Sequence, residues 1–552
     1  MTIRPVPARH TPHRPALGAV YTREWVVDLV LDLAGYTPRQ DLGASTAVEP
    51  AAGHGAFLLP MIDRLVRSAH AHRRSVDDLG EALLAFDIDP AAVATTRHRV
   101  VQALTAADVA AGTARRLART WVRRGDFLRA APDLPPSAWV IGNPPYRRVE
   151  DVDREQMAAY RATWPTMTGR ADVYVGFLEA GLRMLQPGGT LAVVCADRWM
   201  RNQYGAALRE LVGDAFAVRA SIAMHGVDAF DDPVAAYPAI TVIEAGEQGP
   251  ALVCEAAPRF DARAAERLRA THRGGPPEDA SGRRHGEDPD FTTAWTKGWF
   301  TGRASWPDAD PAHLEMLSAL EARLPTLEES GARVAIGAAT GADEVFITHD
   351  PGRVEPERLL KAVTAKEVRT GRITWARRHL VNPWDEDGLV ALEDYPGLAA
   401  YLVGHEQLLR GRHVAVKNPA RWWRTIDRVH PRRASRPKLL VPDLTDRVLP
   451  VYDHGEYYPG HSLSYITSET WDLEVLGGLL MSDVATMFVR AYSVRMAGGH
   501  LRLGPQYLRR IRVPLLEDIP APLASCLRRA FREHDTTAAD VHARVAYGLD
   551  PT

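Results

Sequence analysis

From Tyr21 to about Ile243 short apolar strands alternate with helical stretches, and that alternation leaves few folds open. The strands are read at Ala47-Val48, Leu83–Phe86, Trp139–Ile141, Leu191–Cys195 and Ala239–Ile243. Between them lie helical patterns such as Ala56–Val66, Ala91–Leu104, Val173–Leu185 and Tyr204–Val212. Strand and helix in repetition predict a mostly parallel sheet with helices on both faces, a doubly wound α/β architecture. The chain is 552 residues long, 46% hydrophobic and 25% charged, which is apolar material enough for that sheet and a further domain.

Beyond the alternating region, Thr271–Asp290 holds Gly, Pro and charge with almost no large apolar residue, and it reads as a mobile loop. The expected organisation is a tail over 1–20, the α/β domain over 21–257 and a linker or insertion over 258–310 carrying that loop. A mixed α+β domain follows over 311–520, and a C-terminal helix over 521–552. A formal charge of -2 excludes a uniformly basic nucleic-acid coat, so a polyanionic partner would have to meet a local basic patch. The three cysteines, Cys195, Cys254 and Cys526, form no CxxC pair, which argues against a disulfide framework and a zinc ribbon; no metal is expected. No apolar run approaches the roughly 18 residues of a membrane span. The N-terminus has no signal-like apolar stretch, so a cytoplasmic protein without membrane contact is expected.

The stretch Val48-Glu49-Pro50-Ala51-Ala52-Gly53-His54-Gly55-Ala56-Phe57 ends a strand at an acid, turns through two glycines and enters a helix. Gly53 and Gly55 permit a tight turn and close approach of a ligand to the backbone. A dinucleotide turn would want a third glycine where Leu58 stands. Glu49 instead suits a ligand with an amino group, which favours the methionine part of S-adenosylmethionine over a pyrophosphate. Taken alone, the stretch also admits an ordinary glycine turn between strand and helix, the lesser of the two readings. Asp87, in Phe86-Asp87-Ile88-Asp89-Pro90, stands at the end of the next strand, where an acid can take ribose hydroxyls, though Asp-x-Asp-Pro also caps helices. In Gly125-Asp126-Phe127 the acid could accept from an adenine amino group and the ring could cover the base.

Asn143-Pro144-Pro145-Tyr146 directly follows the apolar strand Trp139–Ile141. With 40 prolines in the chain, such an Asn-Pro-Pro-aromatic string arises by chance in roughly one chain of this composition in several hundred. The exocyclic amine of adenine is a poor nucleophile because its lone pair is delocalised into the ring. Two acceptors aimed at its N–H bonds, the Asn143 side-chain oxygen and the Pro144 carbonyl, would free that lone pair. Both prolines stiffen the backbone that presents them. Tyr146 offers a flat face for the base, and an aromatic face tolerates a nearby sulfonium. Transfer needs positioning more than covalent chemistry.

These motifs, in this order, resemble the γ-class DNA adenine-N6 methyltransferases. The resemblance implies a Rossmann-like class I S-adenosylmethionine-dependent catalytic domain followed by a target-recognition domain. On it, Tyr21 and Thr22 look like the leading cofactor segment. Glu49, Pro50, Ala51, Gly53, Gly55, Phe57, Asp87, Ile88, Asp126, Phe127 and Asn143 look like cofactor contacts, and Asn143, Pro144 and Tyr146 like the catalytic motif. Asp172-Val173-Tyr174 with Phe177, and the Pro187-Gly188-Gly189 turn, resemble the next motifs. An aromatic residue for the second face of a flipped adenine is also implied: Phe230, with Tyr237 as second choice, although a lone Phe is equally plain core. His54 departs from the family's small polar residue, and the 271–290 insertion has no family counterpart.

Ile336–Phe346 resembles the opening of the recognition domain. Independently of resemblance, Arg410–Lys438 concentrates Arg410, Arg412, Lys417, Arg421, Arg424 and Arg428 around Trp422-Trp423, against the single acid Asp427. Basic side chains interleaved with aromatics suit phosphates and exposed bases. The expectation is therefore a site-specific adenine methyltransferase acting on a base flipped from double-stranded DNA. A restriction-modification or phage-defence setting with a cognate restriction endonuclease is expected. An RNA-adenine or protein-glutamine methyltransferase and a non-catalytic DNA-binding subunit remain as alternatives.

Overall fold

The computed structural model describes residues 22–231, 238–276, 286–307, 311–369, 371–433, 435–493 and 501–550. They fall into two compact units, one ending at Leu314 and the other beginning at Glu315. The first is built on a ten-stranded sheet: β1 (Ala47–Glu49), β2 (Leu83–Asp87), β3 (Val122–Arg124), β4 (Ser137–Gly142), β5 (Leu185–Ala196), β6 (Ala217–Ala223), β7 (Pro238–Glu244), β8 (Ala251–Ala256), β9 (Gly286–Asp288) and β10 (Phe291–Thr296). The spatial order is β3-β2-β1-β4-β5-β7-β6-β8-β10-β9. Strands β3 to β5 run parallel, and β7 is antiparallel to both of its neighbours.

The helices are α1 (Glu24–Leu33), α2 (Leu58–Ala71), α3 (Pro90–Ala106), α4 (Ala111–Trp121), the single turn α5 (Phe127–Ala130), α6 (Arg154–Thr163), α7 (Val173–Arg183), α8 (Ala206–Ala215) and α9 (Ala262–Gly274). Because side chains alternate along a strand, two separate apolar cores form. Leu83, Ala85, Ala192 and Val194 belong to one, and Leu84, Phe86, Leu191, Val193 and Cys195 to the other. A sheet buried on both faces explains why its central strands read as continuous apolar runs. Arg64 of α2, itself buried, bonds Asp32 (2.7 Å) and Asp28 (2.9 Å) of α1 and so fixes the helix that leads in from Thr22.

The doubly wound fold is as expected, but the region extends further than its apolar pattern suggested. Residues 258–310, read as a linker, carry α9 and the strands β9 and β10, which extend the sheet beyond β8. This edge is tied by charge: Arg267 of α9 bonds Asp288 (2.6 Å) and Asp290 (2.6 Å), so its composition resembles a linker's. Of the segment 271–290, expected as a mobile loop, residues 277–285 lie outside the described residues, while its start closes α9 and Gly286–Asp288 forms β9.

The second unit holds two four-stranded sheets. One orders Ala332–Ile336, Leu463–Ser468, Lys438–Pro442 and Val451–Asp453, all antiparallel. The C-terminal segment 521–552, expected as one helix, forms two, Ala521–Glu533 and Thr536–Ala546, broken at His534 with a left-handed φ of 56°. It belongs to this unit's core: Gly477 and Gly478 of helix Leu473–Leu480 lie so close to Phe531 and Leu527 that a Cβ on either would collide. No single helix among the described residues is long and apolar enough to cross a membrane.

Lys438 and Asp453 face each other across neighbouring strands at 2.6 Å, both fully buried. Asp453 also accepts the backbone N–H groups of Gly455, Glu456 and Tyr457. Removing either partner is therefore unequal in cost. Lys438→Met leaves the carboxylate its backbone donors, whereas Asp453→Ala leaves those three N–H groups without their acceptor and takes the carboxylate from the buried ammonium. Asp453→Ala is expected to lower stability by about 3–5 kcal/mol and Lys438→Met by clearly less. Denaturant midpoints for the two variants check this, and the reverse ranking would refute it.

Candidate active site

In an open α/β sheet, ligands bind at the carboxyl ends of the strands where the order reverses. Here the chain passes outward in opposite directions from β1 and β4, and a cavity with about 1110 Å³ of free space, open at its mouth, lies over their ends. Thr22, Glu49, Pro50, Ala51, Gly53, Phe57, Asp87, Ile88, Asp126, Phe127 and Asn143, all sequence candidates, line it. Gly55 lines an adjoining groove instead, and Tyr21 lies outside the described residues. The glycines have the left-handed φ anticipated for them, 50° at Gly53 and 86° at Gly55.

The loop is held from β2. One Asp87 oxygen accepts the Gly53 N–H (2.8 Å) and the other the Asp89 N–H (2.8 Å), while buried Thr96 donates to the Gly53 carbonyl (2.7 Å). Ile88 stands beside this acid with 46% of its surface exposed, an apolar wall of the cavity. Glu49 is only 1% exposed, and its Oε2 is buried without a hydrogen-bond partner among the described residues. Burial, then the charge of Asp87, hold its carboxyl well above the usual carboxylate range, against a backbone hydrogen bond from Leu58 at the start of α2.

Three cavity residues were not legible beforehand. Arg147 lines the cavity with its guanidinium donating to the Asp151 carbonyl, and Gln156 and Tyr160 of α6 form a further wall. No local motif marks α6, which faces the cavity only because the chain after Tyr146 folds back. Phe127 packs between Phe86 (5.8 Å between centroids) and Phe177 (5.4 Å), making the apolar floor beside Asp126.

Asn143 sits where β4 ends. Its Nδ2 donates to Thr22 Oγ1 (3.1 Å), which orients the amide and leaves acceptance to Oδ1. Thr22 in turn pairs with Phe230 as an isolated antiparallel bridge, and the Arg23 N–H donates to the Ala229 carbonyl (3.1 Å). The leading segment, the Asn-Pro-Pro-Tyr turn and Phe230 thus meet at one corner. Pro144 is buried there, and neither it nor Tyr146 lines the cavity. The Tyr146 and Phe230 rings touch edge to face, 6.3 Å apart at 81°. They are nearly perpendicular and do not present two parallel faces to a base. Tyr237 lies outside the described residues. Among the described residues the buried Tyr146 hydroxyl has no hydrogen-bond partner, and burial, then Cys195 and Asp197, push its pKa well above 10. Nearby Asp197 is buried with Arg201 and with His225 (2.6 Å); burial opposes its ionisation, but Arg201 and the bond to His225 hold it below the ordinary range.

The basic patch of the second unit is more committed than its composition suggests. Arg412 donates to the carbonyls of Thr340, Leu409, Trp422 and Arg424, which makes it a backbone tie. Arg428 donates to the Asp385 and Glu386 carbonyls. Arg410 pairs with Glu406 (2.7 Å) and lies over Trp422, which is 6% exposed and part of an apolar core. Lys438, counted with the patch, is the buried partner of Asp453. Arg424 lies over the Trp384 ring, and Lys417 and Arg421 remain exposed.

Residues 138–230, from β4 to Phe230, match the model of the Eco57I restriction-modification methylase family. The type II methyltransferase M.XhoI of Xanthomonas vasicola is 41% identical over 551 residues, 97% of either chain. M.PaeR7I of Pseudomonas aeruginosa, also a type II methyltransferase, is 42% identical over 97% of this chain and 92% of that one. The chain belongs to the type II restriction-modification methyltransferases. The solved type IIL restriction-modification enzyme MmeI, in complex with DNA, shares the fold at a TM-score of 0.52 and 12% identity, covering 96% of this chain and 74% of that one.

The first unit is accordingly a class I S-adenosylmethionine-dependent methyltransferase sheet, and its residues fit that cofactor. The orphaned Glu49 oxygen matches an ammonium group and would be poorly served by a phosphate. This gives the methyltransferase a pH signature. An ammonium ligand favours ionised Glu49, so affinity should be weak near the ordinary value of 4.5 and rise with pH until the raised pKa is passed. Binding should release a proton in that window, and Glu49→Gln should abolish both effects. Calorimetry of S-adenosylhomocysteine in buffers of different ionisation enthalpy reads the proton directly, and pH-independent affinity would reject the assignment.

Proposed function

We propose that this type II methyltransferase methylates the N6 amine of an adenine flipped out of double-stranded DNA. The observation that carries the reading is Asn143, placed at the end of β4 with its Nδ2 engaged by Thr22 and bordering the cavity that takes the cofactor. S-adenosylmethionine, when bound, supplies a methyl group on a sulfonium. Asn143 Oδ1 and the Pro144 carbonyl accept the two amine N–H bonds and release the lone pair from the ring. Tyr146 carries one face of the base, and being held neutral it adds no charge to compete for the sulfonium. Phe230 serves the second face after the two rings leave the perpendicular arrangement they hold here. Glu49 holds the amino group of the cofactor, Asp87 its ribose, and Asp126 with Phe127 its adenine. The naming of the relatives as type II methyltransferases supports a restriction-modification setting with a cognate endonuclease.

Asn143→Ala is expected to lower turnover by about a hundredfold or more, the scale of losing one preorganised hydrogen bond to the reacting group, with cofactor affinity preserved. Labelled methyl transfer to DNA, digested to nucleosides, checks both rate and product. Label in cytosine, or near wild-type turnover of the variant, would overturn the reading.

The second unit contacts the duplex through the exposed cations Lys417 and Arg421, beside a groove lined by Gly341, His413, Asn418, Arg424 and Ile426. That groove has no carboxylate among its lining residues, and Ile426 is 50% exposed at its edge. Neutralising Lys417 and Arg421 together should weaken binding to cognate and scrambled duplexes alike. The slope of log K against log salt should flatten by about two units. Titrations at several salt concentrations decide it; an unchanged slope would mean that the two cations only solvate the surface.

A further inference from the structure

Asp126 caps the single turn α5: its Oδ1 accepts the Leu128 N–H (3.1 Å). A cap needs one oxygen, and the other is occupied too. Tyr160, on α6 and 34 positions further along the chain, donates its hydroxyl to Asp126 Oδ2 (2.7 Å). The proton of that hydroxyl has no choice of direction, because Gln156 Nε2 donates to the same phenolic oxygen (2.6 Å) and takes up its acceptor side. Tyr160 is itself buried, and both it and Gln156 line the cofactor cavity beside Asp126. With a donor on each oxygen, the carboxylate cannot rotate about its last torsion. Its remaining lone pairs are aimed in a fixed direction. Burial and the hydrogen bond to Asp126 raise the Tyr160 pKa far above neutrality, so it stays a donor.

We propose that the Gln156–Tyr160 relay on α6 is a positioning device that aims the Asp126 carboxylate at the amino group of the cofactor's adenine, and so sets selectivity for a 6-amino over a 6-oxo purine. The proposal rests on the reading that Asp126 faces that adenine. A fixed acceptor rewards a donor and repels a carbonyl oxygen, and a carboxylate free to turn discriminates less. Tyr160 acts through Asp126 and touches no reacting atom.

The test is calorimetry of the full chain with S-adenosylhomocysteine and with its inosine counterpart, which carries a carbonyl oxygen in place of the amino group. The wild-type protein should prefer the adenine compound by about tenfold or more, the scale of a hydrogen bond to a charged group. Tyr160→Phe, which keeps the ring, should cut that preference to within about threefold mainly by weakening the adenine compound. Gln156→Leu should shift it in the same direction and decides the matter should Tyr160→Phe fail to fold. If Asp126→Ala erases the preference and both relay variants keep it, the relay is overturned while the Asp126 reading stands. If Tyr160→Phe weakens the two compounds equally, α6 is only a wall and the proposal fails. If Asp126→Ala changes neither affinity, the underlying reading is wrong and the relay falls with it.

Discussion

A carboxyl group buried at the end of β1 sets the terms for this molecule. Glu49 is out of water, near a second acid and short of one hydrogen-bond partner. Left ionised, such a group costs several kcal/mol, and it escapes the cost by holding its proton. The surroundings tolerate the arrangement because they are otherwise fully tied: Asp87 pins the glycine loop through Gly53 and Thr96 pins it from α3. The site's cost is thus concentrated in one group, the carboxyl that the proposed reading pairs with the amino group of the cofactor. This follows the general pattern in which strain gathers at functional positions that the rest of the structure over-determines.

The parts of the fold and site that were legible in the sequence are those whose physics is local. The acid at a strand end, the two left-handed glycines, Asp87 and the Asn-Pro-Pro-Tyr string each lie within a few residues, so spacing alone exposes them. Strands β3, β6 and β8 to β10 escaped because they are short, or earn their place through pairing with distant residues. The edge strand β9 is the extreme case: its polar surroundings are held by Arg267 from α9, a contact that composition cannot show. The cluster of Asp197, Arg201 and His225 was equally invisible, being assembled from the ends of β5 and β6.

Charge was the least legible property. A count of arginines between Arg410 and Lys438 cannot separate a guanidinium facing water from one bonded to four carbonyls, as Arg412 is. Arginine carries five donors in a rigid fork, which makes it as useful for closing irregular backbone as for meeting phosphates. The same holds for Trp422, an aromatic among cations that serves as core. In an arginine-rich chain with five lysines, the cations free of such duties are better found by exposure than by number.

On the proposed reading, the Asn143 corner couples the two halves of the chemistry without a shared surface. One side of the β4 terminus borders the cavity, where Asn143 and Pro145 are lining residues; the other carries Pro144, Tyr146 and Phe230, of which none lines it. The bond from Asn143 Nδ2 to Thr22 Oγ1 links them through the segment that pairs with Phe230. Thr22 both borders the cavity and bridges to Phe230, so a displacement of it by a ligand would reach the amide of Asn143 and the aromatic corner together. Orientation of an acceptor is worth little unless donor and base arrive in register with it, because reactivity falls steeply with sub-ångström misplacement. Tying the acceptor, the cofactor wall and the second aromatic to one threonine makes that register a property of the backbone rather than of three independent side chains.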